Sequence, residues 1–250
     1  TMDNNINIGE RGWNHQYGGH GAADDPDGAA DLPGRVESVP VEKTRLIHAG
    51  CRAAGTPTRF ATGWGKDHGM TKTVRVGELK LGGGNPVLVQ SMTNTDTRDV
   101  EATLEQIRAL SAAGCDLVRV SVYDQACAEA VRDLVDGSPV PLVADIHFDH
   151  RLAIRAAENG IAKLRINPGN IGQKDRIREV VEACKAHGAP IRVGVNSGSL
   201  EKEIVKKNGG VTAEGLVESA LGKVRLIEEM NYDRIVVSIK CTDVLMCVKA

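Results

Sequence analysis

From Pro86 onward, short apolar runs rich in β-branched residues alternate with longer segments whose apolar positions recur every three or four residues. The first pattern predicts strands over 87–91, 117–122, 141–146, 162–166, 191–196 and 234–239. The second predicts helices over 100–113, 126–135, 151–159, 174–187 and 213–230. In the first of these, Leu104, Ile107 and Leu110 fall at i, i+3 and i+6, one face of a helical cylinder. Gly114, Gly160 and Gly188 stand just past three helices, where a left-handed residue closes the last turn. Asp99 precedes the first helix as an N-cap. Each strand run is apolar on both faces, as expected of a parallel strand covered by helices.

Six consecutive β-then-α steps with short loops fit either a doubly wound sheet or a (β/α)8 barrel. Polar residues decide between them. A barrel gathers functional groups at the C-terminal ends of many strands, because all the ends ring one mouth, whereas an open sheet concentrates them at one switch point. Here strand after strand carries them: Ser91 to Thr95, Arg119 and Ser121, Asp145 and His147, Arg165 and Asn167, Arg192 to Ser199, Ser238 and Lys240. The expected fold is an α/β TIM-type barrel truncated after its sixth strand. Residues 241–250 begin the following helix, so the sequence is expected to be incomplete at its C-terminus. Residues 1–69, crowded with Gly, Asp and Pro and lacking either periodicity, read as a disordered or non-native extension. Their tryptophans, Trp13 and Trp64, have no apolar run to pack against, and Met70 looks like a natural start. A mobile tail is the simpler expectation, with a binding arm as the alternative. The barrel domain then covers 70–250.

Composition narrows the function classes. With 41% hydrophobic and 26% charged residues the chain can build a packed core, which excludes collagen-like, wholly disordered and disulfide-stapled classes. The net charge of −2 supplies no general field for a polyanion, so nucleic-acid binding is not expected and any phosphate must be met by a few placed cations. No run of membrane-spanning length and no secretion signal is seen, making the cytoplasm the default. Six cysteines lie far apart without a C-x-x-C, so they read as reduced, small apolar groups. His15, His20 and His48 are too scattered to suggest a metal.

Four cations, Arg119, Arg165, Arg192 and Lys240, lie within or at the ends of separate strands. A charge inside an apolar run is costly unless something polar or anionic meets it. An arginine fork suits phosphate oxygens, so four cations around one mouth point to a polyphosphorylated ligand. Internal ion pairing is the competing reading, and Asp145 is the obvious counter-ion. Asn167-Pro-Gly-Asn170 turns sharply after the fourth strand; a left-handed Gly169 there would make an anion-binding nest, although the same string also forms an ordinary turn. Asn196 and Ser197 begin a glycine-pivoted loop able to orient a polyol phosphate, the alternative being a helix cap by Ser199 with Glu203. Asp145 and His147, at i and i+2, direct two side chains the same way. They could bind a metal, exchange protons, contact substrate hydroxyls or support the strand. No second histidine or carboxylate stands at another strand end, so no metal ligand set is assigned.

VQSMTNTDTRDVEAT, DLVRVSV, PLVADIHFDHRLA, KLRINPGNIG, IRVGVNSGSLEKEI and VVSIK, in this order from about Thr73 to Val248, resemble the N-terminal barrel of bacterial 4-hydroxy-3-methylbut-2-enyl diphosphate synthases of the methylerythritol phosphate route to isoprenoids. The string LRINPGNIG is highly specific, and residues 1–69 have no counterpart. The resemblance implies reductive ring opening of 2-C-methyl-D-erythritol 2,4-cyclodiphosphate, with electrons delivered through a 4Fe-4S cluster from a flavodoxin or ferredoxin. It also implies a homodimer in which one chain's cluster domain covers the other's barrel. Arg119, Arg165, Arg192 and Lys240 match the family's cationic positions, Asn196 a polar contact beside them, and Asp145 and His147 the pocket wall. Asn167, Asn170, Ser197 and Ser238 complete the expected substrate-binding set. The family's cluster ligands, three cysteines and a glutamate in a C-terminal domain, and its acid/base glutamate are expected beyond Ala250. Cys241 and Cys247, spaced C-x5-C, do not match that ligand pattern. No cluster is therefore expected on this chain, which should bind substrate weakly and not turn it over alone. Two other readings stand beside this one: a barrel aldolase forming a Schiff base through Lys240 on a sugar phosphate, and a non-catalytic phospho-ligand-binding fragment.

Overall fold

The structure is a computed structural model that describes residues 71–250, except Gly172, together with Ile6–Asn7. Ile6–Asn7 is a two-residue strand, β1, in parallel register with Val89 and Gln90. The remainder of the extension expected over 1–69, with Trp13, Trp64, the three scattered histidines and Cys51, and Met70 after it, lies outside the described residues.

Apolar residues alternate through VRVGELKL, and the chain folds there as an antiparallel hairpin, β2 (Val74–Val76) and β3 (Leu79–Leu81). Gly77, at φ +56°, turns it through a left-handed conformation that a side chain would resist. This hairpin was not anticipated from the periodicity. Its Val74, Val76 and Leu81 pack with Leu88, Leu117 and Val236, which lie at or just before the N-terminal ends of the large sheet's strands.

The six predicted strands form as β4 (Val89–Met92), β5 (Leu117–Ser121), β6 (Leu142–Asp145), β7 (Lys163–Ile166), β8 (Ile191–Asn196) and β9 (Ile235–Lys240). Each pairs in parallel with the next, in the order β4-β5-β6-β7-β8-β9, and the sheet curls. A doubly wound sheet would reverse direction partway through its strand order. The unbroken order therefore identifies barrel architecture, here a half-barrel.

The five predicted helices are α1 (Val100–Ala112), α2 (Gln125–Gly137), α3 (His150–Glu158), α5 (Lys174–His187) and α7 (Ala213–Glu228). Between and after them lie shorter helices: α4 (Pro168–Ile171), α6 (Lys202–Lys207) and α8 (Val244–Lys249). Side-chain oxygens cap their starts as expected of Asp at an N-cap: Asp99 accepts from the Ala102 amide, Asp124 from Cys127 and Asp149 from Arg151. Gly188 ends α5 at φ +71°, where its amide donates to the Cys184 carbonyl.

Alternation along the strands sorts the interior into two layers. Val118, Val120, Leu142, Ala144, Leu164, Ile166, Ile191 and Val193 turn outward into the main apolar cluster with Ile107, Val131, Leu134, Ala156 and Val180 of the helices. The opposite strand face holds Gln90, Arg119, Asp145, Lys163 and Arg192, all buried. The expectation that both strand faces are apolar therefore holds for the helix-covered face alone.

Leu164 is fully buried between sheet and helices, whereas Leu221 on α7 is exposed. Leu164→Ala is expected to cost about 2–5 kcal/mol through lost burial and the cavity left behind, and Leu221→Ala less than about 0.5 kcal/mol. Urea denaturation of both variants measures the contrast.

Candidate functional site

The inner face of the curled sheet is organised around one carboxylate. Asp145 ends β6 and is 3% exposed. Arg165, its register partner on β7, places Nη1 2.7 Å from Asp145 Oδ1. From the other side, Arg119 on β5 brings Nε to 3.5 Å of Oδ2. His147, two residues beyond Asp145, holds Nε2 3.6 Å from Oδ1. Burial by itself would raise the Asp145 pKa, but the charges of Arg165 and Arg119, with His147 and the Arg165 hydrogen bond, hold it below the ordinary carboxylate value. Burial lowers the pKa of the His147 imidazole, Asp145 opposes that shift, and the two arginines reinforce it.

Next along the sheet, Arg192 on β8 stands in register with Arg165. It is 4% exposed, and its Nη2 donates to Ser238 Oγ of β9 at 2.7 Å. Gly194 lies beside the Arg165 guanidinium, where a Cβ would meet Nε and Nη2 at ordinary contact distance, 3.5 Å. One turn of strand higher, Asn196 and Lys240 are register partners at the C-terminal ends of β8 and β9, both partly exposed. One end of the sheet thus gathers Arg119, Asp145, His147, Arg165, Arg192, Ser238, Asn196 and Lys240. Arg119 and Arg165 flank the buried carboxylate of Asp145, and Arg192 lies in register beside Arg165.

The loops depart from expectation in two places. Asn167 is buried, but Pro168–Ile171 is a turn of helix in which the Asn170 and Ile171 amides donate to the Asn167 carbonyl. A right-handed turn therefore replaces the left-handed nest, and Asn170 is exposed on it. After β8, Ser197–Ser199 is one turn of 3-10 helix, and α6 starts from Glu201 without a side-chain cap, so the Ser199 cap is not formed. Glu201 instead pairs with Lys223 at 2.9 Å and accepts from Ser219 Oγ at 2.7 Å, which anchors the end of this loop to α7.

Two inward residues escaped the sequence reading. Lys163 is 0% exposed and lies two residues before Arg165 on the same strand face. The i, i+2 spacing applied to Asp145 and His147 would have found it. Met92 lies in register with Arg119 and accepts from its guanidinium, but a methionine in an apolar run gives no sequence signal. The β4–α1 loop at this end is also built in advance. Gln106 Oε1 accepts from the Asn94 and Thr95 amides at 2.9 and 3.3 Å, and Thr97 Oγ1 donates to the Ser121 carbonyl at 2.7 Å.

The described cysteines do not fit a 4Fe-4S cluster. Cys115, Cys127 and Cys184 are buried in the apolar layer. Burial pushes the Cys115 thiol up to about 11 and the Cys184 thiol up to about 12, against the thiolate that iron requires. Cys241 Sγ faces Met246 Sδ at 3.5 Å, and Cys247 Sγ faces the Ile239 carbonyl. Among the described residues no group of three or more His, Cys, Asp or Glu side chains could hold a metal ion, and no helix is long and apolar enough to cross a membrane.

Residues 71–250 match the family model described as the GcpE TIM-barrel domain. Curated relatives carry the name 4-hydroxy-3-methylbut-2-en-1-yl diphosphate synthase (flavodoxin). That of Caldanaerobacter subterraneus subsp. tengcongensis is 54% identical over 181 residues, covering 72% of this chain and 51% of the relative. The Desulfotalea psychrophila protein is 56% identical over 181 residues, 71% of this chain and 50% of its own length. For the Magnetococcus marinus protein the figures are 57% over 181 residues, 72% and 49%. The chain spans about half the length of these relatives. Sequential parallel strands, a polar inner face and a family match over the whole described barrel agree, and the chain belongs to the family of the GcpE TIM-barrel domain.

Proposed function

We propose that this chain is the substrate-binding barrel of a 4-hydroxy-3-methylbut-2-enyl diphosphate synthase, an oxidoreductase of isoprenoid biosynthesis, and that its ligand is 2-C-methyl-D-erythritol 2,4-cyclodiphosphate. The observation that carries this reading is the row of three inward arginines on neighbouring strands β5, β7 and β8, two of them flanking Asp145 and the third in register beside them. Burying like charges side by side destabilises a fold, and an anionic ligand offsets that repulsion. Arg119, Arg165 and Arg192 would grip the phosphates, Lys240 would add a point charge at the rim, and Asn196, Ser197 and Ser238 would orient polar oxygens. Asn167 and Asn170 stand beside this set on the neighbouring turn.

In the reductive opening of the cyclodiphosphate a C–O bond to phosphate breaks, a hydroxyl leaves as water and two electrons enter. The cations would stabilise the negative charge left on the diphosphate and hold the ring in one orientation. His147, with its pKa lowered, would stand neutral near pH 7 and could accept a proton from, or hydrogen-bond to, an oxygen at the rim. Because the described cysteines do not fit an iron–sulfur cluster, the electron-transfer group is proposed to come from outside them, with flavodoxin, which the relatives' names include, as donor and a homodimer as the working assembly.

Arg165→Ala and Arg192→Ala are each expected to weaken cyclodiphosphate binding about ten- to a hundredfold, the loss of one charge-assisted contact. Replacement by Lys should recover part of it, because the charge stays while the fork is lost. Titration calorimetry of each variant beside its melting curve separates this from a purely structural pairing. Normal affinity in both Ala variants would overturn the assignment.

Asp145 sets the acid limit of the fold. Its folded pKa lies below the unfolded one, so its contribution is full above about pH 4 and disappears as the pH falls through the folded value. His147, also lowered, adds a stabilisation present above about pH 6.5 that is lost as the pH falls through its own folded value. Melting temperature is therefore expected to fall with acid in two stages. Asp145→Asn should lower stability by about 3–5 kcal/mol at pH 7, since it leaves Arg119 and Arg165 without their carboxylate, and should flatten the more acidic stage. Melting curves across pH 3–8 provide the measurement.

A further inference from the structure

Arg119 donates from both Nε and Nη2 to the thioether of Met92, at 3.3 and 3.2 Å. The two residues are register partners on β4 and β5, so the contact is set by the sheet itself rather than by a loop. The Nε–Nη2 edge is the one an arginine uses to grip a carboxylate or phosphate with two parallel bonds. Here Asp145 gives its short contact, 2.7 Å, to Arg165 and lies 3.5 Å from Arg119. The acceptor that Nε and Nη2 share is an uncharged sulfur.

Sulfur in a thioether is a weak acceptor that carries no formal charge. It can fix the plane of a guanidinium without neutralising it. A second carboxylate at this place would hold the plane more tightly but would cancel the charge an anionic ligand needs. A leucine would fill about the same volume and offer no acceptor to Nε and Nη2.

We propose that Met92 is a positioning residue for anion binding, its thioether holding the Arg119 guanidinium in alignment with Arg165 while sparing its charge. This rests on the anion-binding reading of the barrel given above. Ordinary core packing would make the opposite demand on the site, since Leu is a volume-conserving replacement for Met and Gln brings a polar amide into the interior.

The test is calorimetric titration of inorganic pyrophosphate into this chain and into Met92→Leu, Met92→Gln and Arg165→Ala, each with its melting temperature. Met92→Leu is expected to bind about three- to tenfold more weakly, the equivalent of one modest hydrogen bond, at a nearly unchanged melting temperature. Met92→Gln, whose amide oxygen can accept from the same fork, should return to within about twofold of the parent chain. Parent-like affinity in Met92→Leu, or no recovery in a folded Met92→Gln, overturns the proposal while Arg165→Ala still binds weakly. If Gln does not fold, the Leu variant alone decides. Absence of pyrophosphate binding by the parent chain, or parent-like binding by Arg165→Ala, instead overturns the anion-site reading and the role of Met92 with it.

Discussion

Asp145 is a buried carboxylate flanked by the guanidiniums of Arg119 and Arg165, and much of the described interior is arranged around that contact. Removing charges from water costs several kcal/mol per ion even after relaxation, and the cost is met only by close, well-directed partners. Arg165 has such a partner at 2.7 Å. Arg119 shares the same carboxylate at longer range and leans on a thioether, and Arg192 turns to a serine hydroxyl. The three inward arginines thus meet three different kinds of acceptor: a carboxylate, a thioether and a hydroxyl.

The scaffold makes this arrangement possible by separating two jobs along every strand. One face of each strand carries Val, Leu, Ile and Ala against the helices, and this layer supplies the burial that stabilises the fold. The other face is released to hold polar groups. At the N-terminal end of the strands the β2–β3 hairpin packs apolar side chains against Leu117 and Val236. That division is the usual one in βα-barrels, where stability belongs to the N-terminal face and chemistry to the C-terminal face.

Rigidity at the polar end comes from short local bonds rather than from loop length. Gln106 ties down the β4–α1 loop, Glu201 and Lys223 tie the β8 loop to α7, and register fixes Met92 opposite Arg119. Preorganised donors lose little freedom when a ligand arrives, which is the condition under which a few charges bind well.

The sequence by itself determined the six strands, the five long helices, their caps and the barrel order, because period-2 and period-3.6 patterns are local and each element's apolar face is written in its own residues. It also marked out Arg119, Arg165 and Arg192 as charges interrupting apolar runs, where charge is otherwise costly. Only the tertiary structure decided how those charges are matched. That Asp145 serves both Arg119 and Arg165, that Ser238 serves Arg192 and that Met92 faces Arg119 depends on the lateral register of neighbouring strands, which no single segment encodes. At Pro168–Ile171 the sequence left a left-handed nest and an ordinary turn both open, and the structure takes a helical turn in which the Asn167 carbonyl accepts from the Asn170 and Ile171 amides. Local pattern fixes what each residue can be, and the distances between strands about 5 Å apart fix which of those possibilities are used.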